Sequence, residues 1–440
     1  MNEILAALAL SAGQGPAPVV IPAQPAPIVR TLPAAPPAPA VRPGALPLTM
    51  PVGQPPMGEQ PAPAAPAFET PREEEAKEEA PSPPVYLLER SLRDTWLGQT
   101  MADHNLRVYG WTAMNYSVST NSVSNLPMTF NDQPNAYQLN QNWLHFEKAI
   151  DTSKDEFQWG LVTDWIVPGT DARFSVARGL FNGQTGNYQF DLYQAYLQAF
   201  LPKLGPKGTA VKVGKFQTHI GYELVQAVDT PFVSKAYLFQ YNPFTHTGIW
   251  ATTQLDDHWS VGNGFATGAD TFFDQASRLT YLGQLKWVSD EAKTTGLLNV
   301  MVTNPKYDTA EAFAFYNTYN AQLVHNFTDK FTYVIDATYS HMNNFPGVGF
   351  SDWYGAANYF IYKLTDKVTT TLRAEVFEDS EGVRTGFPGL YTEVTAGVAW
   401  APVPAVIVRP SVRYDNNSTS PAFEGKNDMW SAAFELIFRW

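Results

Sequence analysis

The last eleven residues, Trp430-Ser-Ala-Ala-Phe-Glu-Leu-Ile-Phe-Arg-Trp440, alternate without interruption. Trp430, Ala432, Phe434, Leu436, Phe438 and Trp440 share one apolar face, and the chain ends on an aromatic ring. Period-two alternation is the pattern of a strand with one face against an apolar medium. A core-facing strand of a soluble sheet would alternate in the same way, so the rest of the chain has to say which medium it is.

Composition removes several classes. No run of 18 or more apolar residues occurs in the 440, which excludes a helical membrane protein. The chain carries 29 basic against 42 acidic residues, net −13, and gives no electrostatic footing for nucleic acid. With no cysteine there is no disulfide scaffold, thiolate zinc site or cysteine nucleophile.

The amino terminus divides into three stretches. Ile4-Leu-Ala-Ala-Leu-Ala-Leu-Ser-Ala-Gly13 has the length of a signal-peptide apolar core, although Glu3 stands where a basic residue is expected, so residues 1–14 read as a signal remnant. Residues 15–84 hold most of the chain's 35 prolines, mixed with alanine, and include the acidic run Glu73-Glu-Glu-Ala-Lys-Glu-Glu79. Such a segment builds no core and is expected to be a disordered periplasmic linker. At ~3.1 Å per residue it reaches roughly 200 Å at most, enough to touch a cell wall. Between Val85 and Leu97, Leu88, Leu92 and Trp96 fall four apart, which predicts one short amphipathic helix within a junction over 85–104.

From Leu106 the chain alternates short turns with long polar loops. The turns are 151–156, 202–208, 256–258, 289–293, 328–330, 365–367 and 402–404; the loops are 119–136, 167–187, 217–246, 267–277, 303–314, 342–352, 379–390 and 415–428. Eight loops and seven turns delimit sixteen strands. An even count with short turns at one end and long loops at the other is the pattern of a transmembrane barrel, and the aromatic terminal strand is how outer-membrane barrels end. The fold expected is therefore all-β, an antiparallel transmembrane β-barrel of about sixteen strands over 105–440.

Parity within the strands agrees. Phe331, Tyr333, Ile335, Ala337 and Tyr339 oppose Thr332, Val334, Asp336, Thr338 and Ser340; Val368, Leu372, Ala374 and Val376 oppose Thr369, Thr371, Arg373 and Glu375. Phe157, Trp159, Trp165, Trp259, Trp287, Tyr339, Trp353, Tyr359, Trp400, Tyr414, Trp430 and Trp440 are assigned to the lipid face, mainly near strand ends, where amphipathic rings suit the two interfaces. A barrel of this size leaves an aqueous channel unless something narrows it. The apolar third loop, 217–246, is the segment expected to fold inward.

Val213-Gly-Lys-Phe-Gln-Thr-His-Ile-Gly-Tyr-Glu223, followed after an insertion by Asn242-Pro-Phe-Thr-His-Thr-Gly248, resembles the outer-membrane β-barrel porin-2, OmpL-like family, and more distantly the phosphate-selective porins. The resemblance covers about 105–440. It implies that the strand carrying Gly214, Lys215 and Phe216 feeds a third loop, with Gly221 and Glu223, that enters the lumen. It also implies a homo-trimer in the outer membrane of a diderm bacterium, with its amino-terminal segment in the periplasm. Outer-membrane lipid, small hydrophilic solutes, and the barrel-assembly machinery reading Phe434, Leu436, Phe438 and Trp440 are the partners implied, with a cell-wall contact open to the linker. Loop three departs from an anion-selective pattern, since Lys235 is its sole basic residue besides histidine.

The candidate constriction sets Glu223, Asp229 and Lys235 of the loop against Arg373, Arg409 and Arg413 on the lumenal parity, with Glu375, Glu393 and Glu435 among them. Opposed charges of this kind focus a field across a pore. The alternative for each is that these charges pair with one another and simply hydrate the wall. Net negative charge favours cations or neutral solutes over anions. No Gly-x-Ser-x-Gly, His-Glu-x-x-His or phosphate loop accompanies the seven histidines, His145 being the first candidate for any chemistry, so no enzyme and no cofactor are expected. Asp256, Asp257, Asp270 and Asp274 are explained by turn chemistry before calcium. The function expected is passive diffusion of small hydrophilic solutes or ions; the alternative is a structural anchor joining membrane to cell wall through the Pro-rich tether.

Overall fold

The computed structural model describes residues 86–273, 277–303, 316–345 and 347–440. The signal, the linker, and most of the loop expected at 303–314 lie outside the described residues. Strands β1 (Leu106–Ser119), β2 (Tyr137–Lys148), β3 (Gln158–Gly169), β4 (Gln189–Leu201), β5 (Thr209–Gln217) and β6 (Thr245–Gln254) open the sheet. They are followed by β7 (Trp259–Ala266), β8 (Thr280–Val288), β9 (Thr294–Thr303), β10 (Asn317–Asn326) and β11 (Phe331–Phe345). β12 (Gly349–Thr365), β13 (Val368–Asp379), β14 (Gly389–Val403), β15 (Val406–Asn417) and β16 (Asp428–Arg439) complete it. Each strand pairs antiparallel with its neighbour in sequence, and β16 returns to β1, giving the closed sixteen-stranded barrel that the sequence predicts.

Turn chemistry sets the strand boundaries at the short-turn end. Asp256 accepts the N–H groups of His258 and Trp259 at 2.8 Å each, and Thr328 Oγ1 accepts those of Lys330 and Phe331 at 3.2 and 3.0 Å. Such side chains hold the first turn residue in place and reverse the strand in two or three residues. The connections at the other end are termed L1 (120–136), L2 (170–188), L3 (218–244), L4 (267–279), L5 (304–316), L6 (346–348), L7 (380–388) and L8 (418–427).

Three expectations are corrected. The loop expected over 342–352 is mostly strand, because β11 and β12 extend to the pair Phe345↔Gly349; Gly347 and Gly349, with φ of 79° and 92°, allow the tight reversal. Trp353 and Tyr359, assigned to lipid, point inward and are buried. The single helix expected over 85–97 is two, α1 (Leu87–Leu92) and α2 (Trp96–Asp103). Thr95 breaks it: its hydroxyl accepts Gly98 N–H at 3.2 Å as the N-cap of α2, and Trp96 is left 77% exposed.

Outside, a belt of exposed apolar side chains includes Leu144, Leu197, Val213, Ile249, Phe265, Leu298, Leu323, Leu372, Val412, Phe434, Leu436 and Phe438. Two polar pairs interrupt the belt, where Tyr281 and Tyr333 donate their hydroxyls to Asn263 and Asn358 at 2.8 and 2.7 Å. Lipid offers no such partner, so an unpaired amide there would be costly. At the closing seam Trp440 lies over Gly110. The two exchange backbone hydrogen bonds at 2.8 Å, and the indole donates to Thr112 at 3.1 Å. At the long-loop end Glu424 of L8 accepts the N–H groups of Ser122, Val123 and Ser124 in L1.

A Cβ on Gly110 would stand 2.5 Å from the Trp440 ring. Gly110→Val is expected to destabilise the seam by about 1–3 kcal/mol and to reduce the fraction of chain reaching the heat-modifiable folded band. The three L1 amides hold the exposed Glu424 carboxyl down at about 2, below its ordinary 4.5. A depressed acid supports its contact above the unfolded value and loses it as pH falls, so the L1–L8 latch should be complete near neutrality and open between pH 4.5 and 2. Carboxyl NMR titration of Glu424 with a midpoint near its ordinary value would exclude the latch.

Candidate functional site

L3 leaves β5 at Gln217 and re-enters β6 at Thr245, and nearly all of it is buried. Gly221, at φ 88°, turns the chain along the inner wall, where Gly221 N–H reaches Asn320 at 3.4 Å and Tyr222 N–H reaches Asp336 at 2.9 Å. Next, Glu223 meets Arg373 of β13 at 2.6 Å, and the same guanidinium binds Glu393 of β14 at 2.9 Å and Ser234 O of L3 at 3.0 Å. The segment then crosses to β2, where Gln141 donates to Val225 O at 2.6 Å and accepts Ala227 N–H at 3.0 Å. Arg409 and Arg413 of β15 donate to L3 carbonyls, those of Thr230 and Lys235.

The loop ends in a one-turn helix, α3 (Tyr237–Tyr241), on the way to β6. Glu375 of β13 accepts the N–H groups of Tyr237 and Leu238 at 2.7 Å each, a carboxylate cap on otherwise orphaned donors. Tyr237 in turn donates to Asp415 at 2.7 Å. Leu238, Phe239, Tyr241 and Phe244 pack with Phe130 of L1, Phe377, Tyr391 and Phe423, so an apolar core lies inside the barrel. Arg384 of L7 donates to Tyr241 O at 3.1 Å and sits over the rings of Tyr316 and Trp353.

The residues singled out by sequence are therefore brought together unequally. Glu223 and Arg373 form one ion pair with no accessible surface on either side chain. Arg409 pairs with Glu435 at 2.7 Å and Arg413 with Asp415 at 2.7 Å. Lys235 donates to Leu224 O of its own loop at 2.6 Å, whereas Asp229 is exposed in a short 3₁₀ turn. Lys215 points inward and is paired with Asp191 at 3.3 Å, and Phe216 is buried beside it. Gly214, at φ 137°, packs against Ala195 O so closely that a Cβ would stand 2.2 Å away. Phe434, Leu436, Phe438 and Trp440 all lie on the outward parity of β16 and beyond its end.

His145 bonds Asp164 at 2.6 Å on the inner wall, and Asp164 also accepts Trp143 and Gln194, which makes it a node of a polar brace. Asp270 accepts the N–H groups of Phe244 and Thr245 at 2.8 Å, so it fastens the end of L3; Asp274 lies outside the described residues. Among the described residues no cluster of three acidic or histidine side chains suits a metal ion. Gln141 and Asp415 were not anticipated, and Asp270 was expected only as a turn residue. The spacing Arg413-x-Asp415, which places both groups on one parity, repeats Arg373-x-Glu375 and was the available signal.

A closed sixteen-stranded barrel with an apolar exterior, a charged inner wall and a long loop folded against that wall defines an outer-membrane channel of the porin class. The family model for the "Putative beta-barrel porin-2, OmpL-like" proteins matches residues 105–439, and the chain belongs to that family. No curated protein matches its sequence significantly. Among solved structures, the outer-membrane channel DcaP of Acinetobacter baumannii is similar with a TM-score of 0.54 and 10% identity, over 76% of this chain and 97% of that one. An anion-selective porin from Comamonas acidovorans is similar with a TM-score of 0.51 and 8% identity, over 76% and 99%. OmpF of Salmonella typhi, solved with daunomycin, reaches 0.52 and 11%, over 77% and 99%. At these identities the likeness is one of fold.

Removing Arg373 would strand Glu223 without a counter-charge and leave Glu393 only the longer contact to Arg413 at 3.9 Å. Arg373→Ala should cost about 3–5 kcal/mol of loop docking. Limited proteolysis of the folded barrel should then cut within 224–240, where the parent chain resists; equal resistance would show that the pair does not hold the loop.

Proposed function

We propose that the chain is a diffusion porin: small hydrophilic solutes and ions cross the outer membrane passively through the barrel, and L3 narrows the path. The observation that carries this is the clamp of Glu223, Ser234 and Tyr237 to Arg373, Glu375 and Asp415, which fixes a folded loop inside a barrel otherwise wide enough for water. A loop held by buried charge-assisted bonds keeps one geometry, as a size filter requires. Glu223, Asp229, Lys235, Arg373, Arg409 and Arg413 are then constriction residues, with Glu223 and Arg373 acting mainly as its frame.

In this arrangement the short-turn end faces the periplasm and so does the amino-terminal segment preceding Tyr86. Barrel assembly reads the outward aromatic face of β16. Three copies assemble, as the trimer form of the similarly folded OmpT of Vibrio cholerae suggests.

Single-channel recording in planar bilayers tests the proposal. The full chain should give steady conductance closing in three equal steps, and deletion of 224–240 should raise the conductance of each step about twofold or more. Correctly inserted protein that never conducts, with or without 224–240, would overturn the diffusion reading in favour of the anchor; unequal or single steps would overturn the trimer alone.

A further inference from the structure

L3 divides the inner wall by exposure. At its own level the three wall arginines are sealed and matched: Arg373 by Glu223 and Glu393, Arg413 by Asp415, Arg409 by Glu435. None of these retains a charge free to act on a passing ion. Toward the short-turn end the inward side chains are half-exposed, among them Lys212 of β5, Gln284 and Lys286 of β8, and Gln322 of β10.

Two of these are cations without an ion pair. Inward orientation of Lys286 follows from its register, opposite buried Ser260 and inward Leu297, while its neighbours Leu285 and Trp287 face outward. No hydrogen bond or ion pair reaches Lys286 from the described residues. Lys212 lies opposite Gln198 and Trp250, both buried, with its ammonium 4.9 Å from the Tyr196 ring centre and, among the described residues, no carboxylate within ion-pair distance. Of the carboxylates near this space, Glu147 is shared with His145 at 3.5 Å. Asp229 is exposed on L3 within electrostatic reach of Arg409 and Arg439.

We infer that the solute-accessible part of the lumen prefers anions, small inorganic ions and carboxylates, and that Lys286 with Lys212 sets this preference. The inference rests on the diffusion reading and runs opposite to what the chain's net charge of −13 suggests. Unpaired charges beside a low-dielectric wall act on a permeating ion over a few ångströms, whereas matched pairs cancel and distant surface charges are screened.

The test is the reversal potential of the full chain under a potassium chloride gradient. A chloride-over-potassium permeability ratio above one is expected, falling about twofold or more in Lys286→Glu and less in Lys286→Gln, while Asp229→Asn raises it. Lys154→Gln, in an exposed turn, is the control and should leave the ratio unchanged. A ratio below one, or a ratio that Lys286→Glu does not move in a conducting channel, overturns the anion preference and leaves the porin standing. Absence of conductance from inserted protein overturns the diffusion reading and this inference with it.

Discussion

Hydrocarbon offers no hydrogen-bond partner to a backbone N–H or C=O, so a sheet that enters it must close. Here closure is the pairing of β1 with β16, from Trp111↔Arg439 to Ser119↔Ser431. That register fixes the parity of every strand between them. A slip of one residue in β16 would carry Glu435 and Arg439 into lipid and Phe434 and Phe438 into the lumen, and a charge at mid-bilayer costs about 2–4 kcal/mol. Trp440 over Gly110 marks the register from the end of the chain, which is why the terminal residues carry so much of the fold's specification.

Closure creates a second demand, inside. Inward arginines at the middle of β13 and β15 cannot be left without acceptors, and the strands supply carboxylates for only part of their donor capacity. L3 supplies the remainder through its backbone: Ser234 O to Arg373, Thr230 O and Lys235 O to Arg409 and Arg413. The converse also holds. The first N–H groups of α3 have no intrahelical partner, and Glu375 of the wall accepts two of them. Loop and wall thus satisfy each other's unpaired polar groups, and neither conformation is explained without the other.

Strand number and boundaries were legible in the sequence because Asp256, Thr328 and Thr365 sit where a reversal needs a side-chain acceptor, and because apolar residues recur every second position between them. The hairpin of β11 and β12 misled for a physical reason. His341, Asn343 and Asp352 look like loop residues, yet they belong to strand that continues beyond the apolar belt, where polarity no longer distinguishes strand from loop. Trp353 and Tyr359 were misplaced because β12 carries aromatics on both faces, Tyr354 and Phe360 outward against these two inward. For L3, apolar density announced a folded segment, and parity announced that Arg373, Arg409 and Arg413 point inward. The pairing of Glu223 with Arg373, across 150 residues, depends on where L3 crosses the barrel, and no local pattern encodes that.

Net charge is a poor guide to such a lumen for the same reason. Much of the acidic excess sits in the run 73–79 and in exposed turns such as those of Asp256, Asp257, Asp290 and Glu291. Water and salt screen these charges over about 8 Å. Many inner-wall charges are instead matched in sealed pairs, so the polarity of the open path is decided by the exposed side chains left over. Glu223, which looks from sequence like the acid facing the pore, is consumed by Arg373, while Lys286, a residue with no motif around it, has no ion-pair partner among the described residues. Polarity of the path is therefore set by which inward groups the loop fails to reach.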